Sequence, residues 1–229
     1  MSSRPKLAIF DVDGTLVDSQ AHILASMEAA YAAVELPRPE RAEVLSIVGL
    51  SLPVAIARLV PRLSERSRER MVAVYKARYA EIRAEAGEGA SPLFPGIAHM
   101  LSRLATRDDL LLGVATGKSK RGLDYLLLEH GLQKTFITCQ VADFHPSKPH
   151  PSMVLTALSE SGCAAEDAVM IGDTVFDLEM GKAAGVSIIG VDWGYHPREA
   201  LEAFGPDALV GSVEALESLV LDRVSLRHE

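Results

Sequence analysis

Two aspartates stand two residues apart directly after a short apolar run near the start of the chain. Leu7 to Phe10 are all apolar, and the next residues read Asp11-Val12-Asp13-Gly14-Thr15. In an extended segment, the side chains of residues i and i+2 face the same way, so both carboxylates can enter one site. Asp-Gly pairs are also common in turns, and this segment alone leaves a structural role equally open.

A second acidic segment strengthens the functional interpretation. After another apolar run the chain reads Gly172-Asp173-Thr174-Val175-Phe176-Asp177. Asp173 and Asp177 are spaced to share a helical face or to straddle its first turn, although Asp also caps helices routinely. Four carboxylates that meet at one end of a sheet repel one another and need a counter-charge, which a hard divalent cation supplies. The sequence therefore predicts a Mg²⁺ site formed by Asp11, Asp13, Asp173 and Asp177.

The elements that must position these residues alternate along the chain. Short apolar runs that end in polar residues predict four strands, at Leu7 to Phe10, Leu110 to Ala115, Ala168 to Ile171 and Val186 to Val191. Helical patterns with a glycine stop lie between or after them, at Gly122 to His130, Ser152 to Glu160 and Val175 to Ala184. This alternation predicts an α/β fold with a parallel sheet, whose binding site lies beyond the carboxyl ends of the strands.

Residues 18–88 interrupt the alternation. Their apolar residues recur at helical spacing, prolines 37, 39, 53 and 61 divide the segment, and no strand pattern appears. Residues 85–95, rich in Gly, Ala and Pro, read as a linker that returns to the sheet. We therefore expect an all-helical insertion after the first strand.

Composition excludes several classes of protein. The 229 residues are 48% hydrophobic and 24% charged, with a net charge of −8, so neither disorder nor a nucleic-acid partner is expected. The apolar run near the N-terminus is far shorter than a signal peptide or a membrane span, which predicts a cytoplasmic protein without membrane contact. The histidines show no ligand spacing for zinc, and the cysteines, Cys139 and Cys163, form no metal-type pair.

Four segments, in order, resemble the motifs of the haloacid dehalogenase-like hydrolase superfamily. They are Asp11-Val12-Asp13-Gly14-Thr15-Leu16-Val17-Asp18-Ser19, Thr116-Gly117-Lys118, Ser147-Lys148-Pro149-His150-Pro151, and Gly172-Asp173-Thr174 with Asp177. The helical insertion is similar to the cap of the phosphoglycolate phosphatase and beta-phosphoglucomutase group. This resemblance implies a Rossmann-like catalytic core of residues 1–17 and 89–229, with a mobile helical cap of residues 18–88.

The resemblance also implies roles for single residues. Asp11 would be a nucleophile that forms an aspartyl phosphate, and Asp13 would act as acid and base and ligate Mg²⁺ through its main-chain carbonyl. Asp173 would bind the ion directly, and Asp177 would bind it or orient its ligands. Lys148 would contact a phosphoryl oxygen and Asp11. Thr116 is expected among the catalytic residues with Asp11, Asp13 and Lys148. The expected substrate-binding residues are Thr15, Thr116, Gly117 and Lys118 in the core, and Gly49, Leu50 and Ser51 in the cap.

The function predicted from these motifs is that of a Mg²⁺-dependent phosphatase acting on a small phosphorylated metabolite. A phosphomutase would use the same motifs, but members of that group often carry a branched apolar residue where Thr15 stands. A dehalogenase usually lacks the second aspartate, and a catalytically silent binding protein would be expected to have lost one of the motif residues. The substrate within this class and the oligomeric state stay open.

Overall fold

The computed structural model describes residues 5–86 and 91–225. Its sheet contains six strands, and all five pairings between neighbouring strands are parallel. The strands are β1 (Lys6–Phe10), β2 (Leu110–Thr116), β3 (Thr138–Val141), β4 (Ala168–Gly172), β5 (Ser187–Val191) and β6 (Ala208–Val210). Their order across the sheet is β3-β2-β1-β4-β5-β6, so β1 lies at the centre. The predicted α/β parallel-sheet fold is confirmed.

Helices cover both faces of the sheet. Those outside the insertion are α5 (Ile97–Leu104), α6 (Lys120–Glu129), α7 (Ser152–Ser161), α8 (Val175–Ala183), α9 (Arg198–Phe204) and α10 (Val213–Ser225), with a 3-10 helix at Ala165–Asp167. The central strand shows why two cores form, because its side chains alternate between the faces. Ala8 and Phe10 pack into one buried cluster with α5, α6 and α10, and Leu7 and Ile9 pack into a second with α7, α8 and α9.

The predicted helices lie within two residues of the observed ones, and the glycine stops have a physical basis. Gly131, Gly162 and Gly185 follow α6, α7 and α8 and adopt positive φ angles, which L-residues with side chains rarely adopt. Two strands were not predicted. β3 has the sequence Thr-Cys-Gln-Val, which is not an apolar run, and β6 has only three residues.

All the regular secondary structure in residues 20–86 is α-helical. This segment contains α1 (Gln20–Ala32), α2 (Arg41–Leu45), α3 (Leu52–Leu59) and α4 (Glu65–Ala86). These helices share a third buried cluster, which also includes Phe176 from α8. Pro53 lies in the first turn of α3, a position that proline tolerates, and therefore marks the start of a helix.

The two connections between the insertion and the sheet run side by side. The Asp18 N–H donates to the Pro92 carbonyl at 2.9 Å, and Val17 forms an antiparallel bridge with Leu93. The predicted return linker at 85–95 begins later, since α4 continues through Ala86, and residues 87–90 lie outside the described residues. The division into a core and a cap at 18–88 stays a prediction. In the described part of the chain, no helix combines the length and the apolar character needed to cross a membrane.

Candidate active site

The sheet order brings the predicted motifs to one edge. Asp11 directly follows β1, Thr116 ends β2 and Asp173 directly follows β4, and these three strands are neighbours. The Asp11 N–H still pairs with the Ile171 carbonyl at 2.9 Å, so the ladder between β1 and β4 holds its backbone. Asp11 and Asp173 are at most 1% exposed. The site therefore lies at the carboxyl end of the sheet, where parallel α/β folds place their ligands.

Three of the four predicted metal ligands form a cluster. Asp11, Asp173 and Asp177 each offer a carboxylate oxygen, and these oxygens lie within 4.8 Å of one another. Lys148 Nζ is 2.8 Å from Asp11 Oδ1 and 2.6 Å from Asp177 Oδ1, and its side chain is fully buried. One ammonium against three ionised carboxylates leaves two negative charges uncompensated in a buried site.

The pKa shifts reflect burial first and then the neighbouring charges. Burial raises the pKa of Asp11 to about 7, against the opposing effect of Lys148 and with further contributions from Asp177 and Asp13. Burial also raises the pKa of Asp173, again reinforced by Asp177 and Asp11. Burial disfavours the lysine cation, but Asp11 and Asp177 more than reverse this and raise the pKa of Lys148. Asp11 Oδ2 has no hydrogen-bond partner among the described residues. These acceptors fit a divalent cation with oxygen ligands.

Neighbouring groups fix the carboxylate of Asp173. The Thr15 hydroxyl donates to its Oδ1 at 2.8 Å, and the Tyr195 N–H donates to its Oδ2 at 2.9 Å. Gly194 allows this close approach, because a Cβ there would come within 2.2 Å of Asp173 Cβ. Thr15, predicted as a substrate-binding residue, thus lies in the site, where its hydroxyl is hydrogen-bonded to the Asp173 carboxylate.

Asp177 has two roles in the structure. It forms a capping box with Thr174 at the start of α8: the Thr174 N–H donates to Asp177 Oδ2 at 3.1 Å, while the Asp177 N–H donates to the threonine hydroxyl. Its other oxygen, Oδ1, faces Lys148. Asp173 precedes the helix and Asp177 lies in its first turn, so the two straddle the helix start. Asp177 therefore takes part in the cap of α8 and also belongs to the acidic cluster.

The carboxylate of Asp13 lies apart from this cluster, which corrects the expectation that four carboxylates converge. Its two oxygens accept hydrogen bonds from Lys118 Nζ at 2.6 and 2.8 Å, and the Ser19 hydroxyl donates to Oδ1. Lys118 is therefore ion-paired inside the site, and its side chain is only 10% exposed. The predicted metal contact of Asp13 through its main-chain carbonyl stays a prediction.

The second motif leads from β2 into α6. Thr116 is 1% exposed, and its hydroxyl accepts a hydrogen bond from the Lys118 N–H at 3.2 Å. Ser119, rather than Thr116, caps α6 by accepting from the Gly122 N–H. Thr116 and Gly117 thus precede a capped helix N-terminus, where backbone N–H groups and the helix dipole favour an anion.

The predicted cap segment Gly49-Leu50-Ser51 reaches the core motifs. The Ser51 N–H donates to the Ser147 hydroxyl at 2.9 Å. A Cβ at Gly117 would lie 2.6 Å from the Gly49 carbonyl oxygen and 2.8 Å from that of Leu50, so only glycine fits there without movement. The sequence around Ser147 contains no pattern that predicts this hydrogen bond.

Sequence reasoning also missed the contribution of the loop after β5. Besides the contact of Tyr195 with Asp173, the Tyr195 hydroxyl accepts from the Ser19 N–H at 2.9 Å, and Trp193 Nε1 donates to the Thr15 carbonyl at 3.2 Å. The signal available was the position of Trp193-Gly194-Tyr195 at the carboxyl end of a predicted strand. Its aromatic residues read equally well as packing, so the main-chain contact of Tyr195 had no sequence signature.

Comparisons with known proteins agree with this geometry. The sequence profile of a family described as "Haloacid dehalogenase-like hydrolase" matches residues 8–191. A protein of Dickeya dadantii (strain 3937) named "Probable phosphatase IndB" is 36% identical over 207 residues, which cover 89% of this chain and 88% of that protein. The phosphoglycolate phosphatase of Escherichia coli (strain K12) is 28% identical over 225 residues, covering 90% and 89%.

Solved structures share the fold. A haloacid dehalogenase-like family hydrolase from Streptococcus pneumoniae superposes with a TM-score of 0.79 at 24% identity, covering 95% of this chain and 98% of that one. A hydrolase from Pseudomonas syringae gives a TM-score of 0.83 at 21% identity, covering 95% and 98%. The resemblance of the four motifs is thereby confirmed over most of the sequence. The chain belongs to the haloacid dehalogenase-like hydrolase family.

Proposed function

We propose that the protein is a Mg²⁺-dependent phosphatase that hydrolyses a small phosphorylated metabolite through an aspartyl phosphate at Asp11. One observation carries the proposal. Asp11 is a buried carboxylate at the end of the central strand, held beside Lys148 and two further acids, with one oxygen that accepts no hydrogen bond from the described residues. A desolvated, oriented carboxylate of this kind suits nucleophilic attack on phosphorus. The names of the two curated relatives support the same reaction class.

The ion would be held by Asp11, Asp173 and Asp177, which already lie within reach of one another. When bound, Mg²⁺ supplies the positive charge that offsets the carboxylates and the phosphoryl oxygens. Lys148 lies 2.8 Å from Asp11 Oδ1, and its positive charge favours the ionised form of Asp11 against the effect of burial. Thr15 and the Tyr195 N–H hold the Asp173 carboxylate in place.

The reaction proceeds in two displacements. An oxygen of Asp11 forms a bond to phosphorus as the bond to the leaving group breaks. Asp13, which must first exchange its ion pair with Lys118 for a proton, gives that proton to the leaving-group oxygen. Water then attacks the phosphorus of the aspartyl phosphate, Asp13 takes a proton from that water, and Asp11 leaves as a carboxylate with release of inorganic phosphate. Lys118 and Ser19 hold Asp13 in position between these transfers.

Phosphate release from a panel of phosphate esters, measured with Mg²⁺, tests the proposal. Asp11→Asn should reduce turnover by at least about 10³-fold, because the near-isosteric amide is not a nucleophile. Its thermal stability should not fall, because the substitution removes one of several buried like charges. Asp222→Asn, at an exposed position on α10, makes the same chemical change away from the site and should be fully active. Turnover by Asp11→Asn close to that of the parent protein would refute the mechanism.

A further inference from the structure

A cavity of about 370 Å³ opens from the acidic site towards the helices of residues 20–86. Its core end is lined by Asp11, Asp13, Thr116, Gly117 and Lys118. This volume falls in the range of about 300–1,000 Å³ that encloses drug-sized ligands, and therefore exceeds what a phosphoryl group alone requires. A substrate with its phosphoryl group at Asp11 would extend its leaving group into the remaining space.

Most side chains on the wall of this space are aliphatic or aromatic. Its lining residues come from α1, the segment between α2 and α3, α3 itself and α4, and they are Ile23, Met27, Ile47, Val48, Leu50, Leu52, Ala55, Tyr75, Tyr79 and Ala80. The rings of Tyr75 and Tyr79 stack with their centroids 6.0 Å apart and their planes at 24°. Burial raises the pKa of Tyr75 well above its usual value, so its phenol is neutral. The two rings offer an aromatic partner for a ring in the cavity.

Beyond the core end of the cavity, the polar side chains of the lining are two tyrosines, one serine and three cations. Among the described residues that line the cavity, none is Asn, Gln, His or Glu, and the only carboxylates are Asp11 and Asp13. A pocket that selects a sugar pairs its hydroxyls with such groups, because unpaired buried polar atoms are costly. Lys118 donates to Asp13 and to the Tyr79 hydroxyl, the latter at 3.3 Å, which leaves it poorly placed for a substrate carboxylate.

The other cations of the lining are more peripheral. Lys76 and Arg121 are exposed, and the Arg83 guanidinium lies 4.0 Å from the centre of the Tyr125 ring. Such cations attract a phosphorylated molecule during its approach, whatever its leaving group is. They therefore assist every phosphate ester and do not select a small carboxylate-bearing one.

We infer that the preferred substrate is a phosphate monoester whose leaving group is an apolar, ring-sized alcohol seated against Tyr75, Tyr79 and the aliphatic side chains of the cavity. The inference rests on the proposed phosphatase function and narrows its substrate class. It also separates this chain from the substrate in the name of its phosphoglycolate phosphatase relatives, because glycolate has no apolar surface to bury against the aliphatic and aromatic side chains of the cavity.

A comparison of benzyl phosphate, phosphoglycolate, glucose 6-phosphate and methyl phosphate tests this inference. All four esters release an aliphatic alcohol. The aromatic ester therefore gains no rate from the more acidic leaving group that a phenyl phosphate would have. We expect kcat/KM for benzyl phosphate to exceed that for each of the others by at least about tenfold, since burial of a ring of this size contributes that much. A kcat/KM for phosphoglycolate or glucose 6-phosphate equal to or above that for benzyl phosphate would overturn the inference.

A matched pair of variants on α4 locates the leaving group. Ala80 lines the cavity, whereas Ala77, one turn earlier, is exposed and does not. Ala80→Leu should lower kcat/KM for benzyl phosphate about tenfold more than that for methyl phosphate, because the added side chain fills the space of the larger leaving group. Ala77→Leu should change neither value. Equal effects of Ala80→Leu on both esters would show that the leaving group lies elsewhere.

A binding measurement separates failure of this inference from failure of the proposed function. Benzylphosphonate and phosphonoacetate are non-hydrolysable counterparts of benzyl phosphate and phosphoglycolate, and calorimetry gives their affinities without turnover. We expect benzylphosphonate to bind the Mg²⁺-loaded protein at least about tenfold more tightly. Absence of phosphate release from every ester would refute the phosphatase, while tighter binding of phosphonoacetate would refute the apolar leaving group.

Discussion

Lys148 is the residue on which the charge balance of the site depends. Its Nζ stands between Asp11 and Asp177, and the lysine is 1% exposed. Two flanking prolines restrict the backbone around it. The lysine thus compensates buried charge and is also placed to contact a transferred phosphoryl group.

Removal of this charge should affect stability and activity together. We expect Lys148→Met to reduce phosphate release by about 100-fold on every ester alike, because the lysine faces the reacting end of the substrate. Without Mg²⁺, the free energy of unfolding should fall by about 3 kcal/mol, since the two carboxylates lose their partner. Chemical denaturation and phosphate assays measure both effects, with the exposed Lys134→Met as the control. A loss of activity confined to some esters would instead assign Lys148 to substrate selection.

His196 is a second buried titratable residue, outside the acidic cluster. Its Nδ1 accepts a hydrogen bond from the Val175 N–H at 3.2 Å, and its ring packs edge-on against Phe176. Burial lowers its pKa, with Asp177 and a contact to the Ser46 backbone opposing this effect and Arg58 adding to it. The neutral ring therefore packs against the start of α8.

The stability provided by His196 should depend on pH. The unfolded chain takes up the proton at a higher pH than the folded protein does, so the free energy of unfolding falls as the pH drops below about 6.5. The slope cannot exceed about 1.4 kcal/mol per pH unit for one group. Denaturation of the parent protein and of His196→Gln between about pH 5 and pH 8 should give a difference that shrinks towards low pH. The exposed His99→Gln is the control, and a difference independent of pH would contradict the prediction.

At the scale of elements, the decisive contact is between the loop after β2 and the segment that precedes α3. The carbonyls of Gly49 and Leu50 occupy the space that a side chain at position 117 would need. The hydrogen bond from Ser51 to Ser147 joins the same segment to the third motif. The helical insertion therefore contacts two of the four motifs through a single short segment.

A methyl group at position 117 should displace this segment. In Gly117→Ala, the Cβ would lie at 2.6 and 2.8 Å from backbone oxygens, which cannot move as flexible side chains do. We expect the ratio of kcat/KM between benzyl and methyl phosphate to change by about tenfold, while the Mg²⁺ requirement persists. Gly211→Ala, where the nearest atom is a carboxylate oxygen of Asp192 at 3.3 Å, is the control. An unchanged ratio would mean that the segment does not contact the substrate.

At the scale of the whole molecule, the ion should couple activity to folding. The acidic cluster joins residues that follow β1 and β4 and one in α8, so it forms only in the folded chain. An ion bound by the native state at 100 times its dissociation constant adds about 2.7 kcal/mol to the free energy of unfolding. For a chain of this length we expect the Tm to rise by about 5 to 11 °C with Mg²⁺.

Thermal unfolding with Mg²⁺, with chelator and with sodium salt at equal ionic strength measures this coupling. Asp173→Asn should lose most of the rise in Tm, and phosphate release should stop in chelator. Full activity after exhaustive chelation would contradict the metal-dependent mechanism and reopen the dehalogenase alternative.

Local pattern was sufficient to predict the fold class, four of the six strands and the residues that meet at the carboxyl edge. Apolar runs ending in Asp or Thr carry this information, because parallel strands buried on both faces are continuously apolar and their ends face the ligand. The same reasoning located Asp11, Asp173 and Asp177, whereas the family resemblance located Lys148, and the structure brings all four together. The missed strands β3 and β6 lack that pattern: in β3, buried Thr138 and Gln140 are paired with Glu160, a partner on a different element.

Tertiary structure alone decided how the acidic side chains are divided and what surrounds the leaving group. Asp11 and Asp13 stand two residues apart in one segment, and the sequence gives no reason to separate their carboxylates. In the structure, Asp11 faces Lys148 and Asp13 faces Lys118, because the two lysines lie in different loops. The apolar cavity likewise combines residues from α1, α3 and α4 that are distant in sequence. Each of these contacts depends on the relative placement of elements, which the periodicity of a single element does not encode.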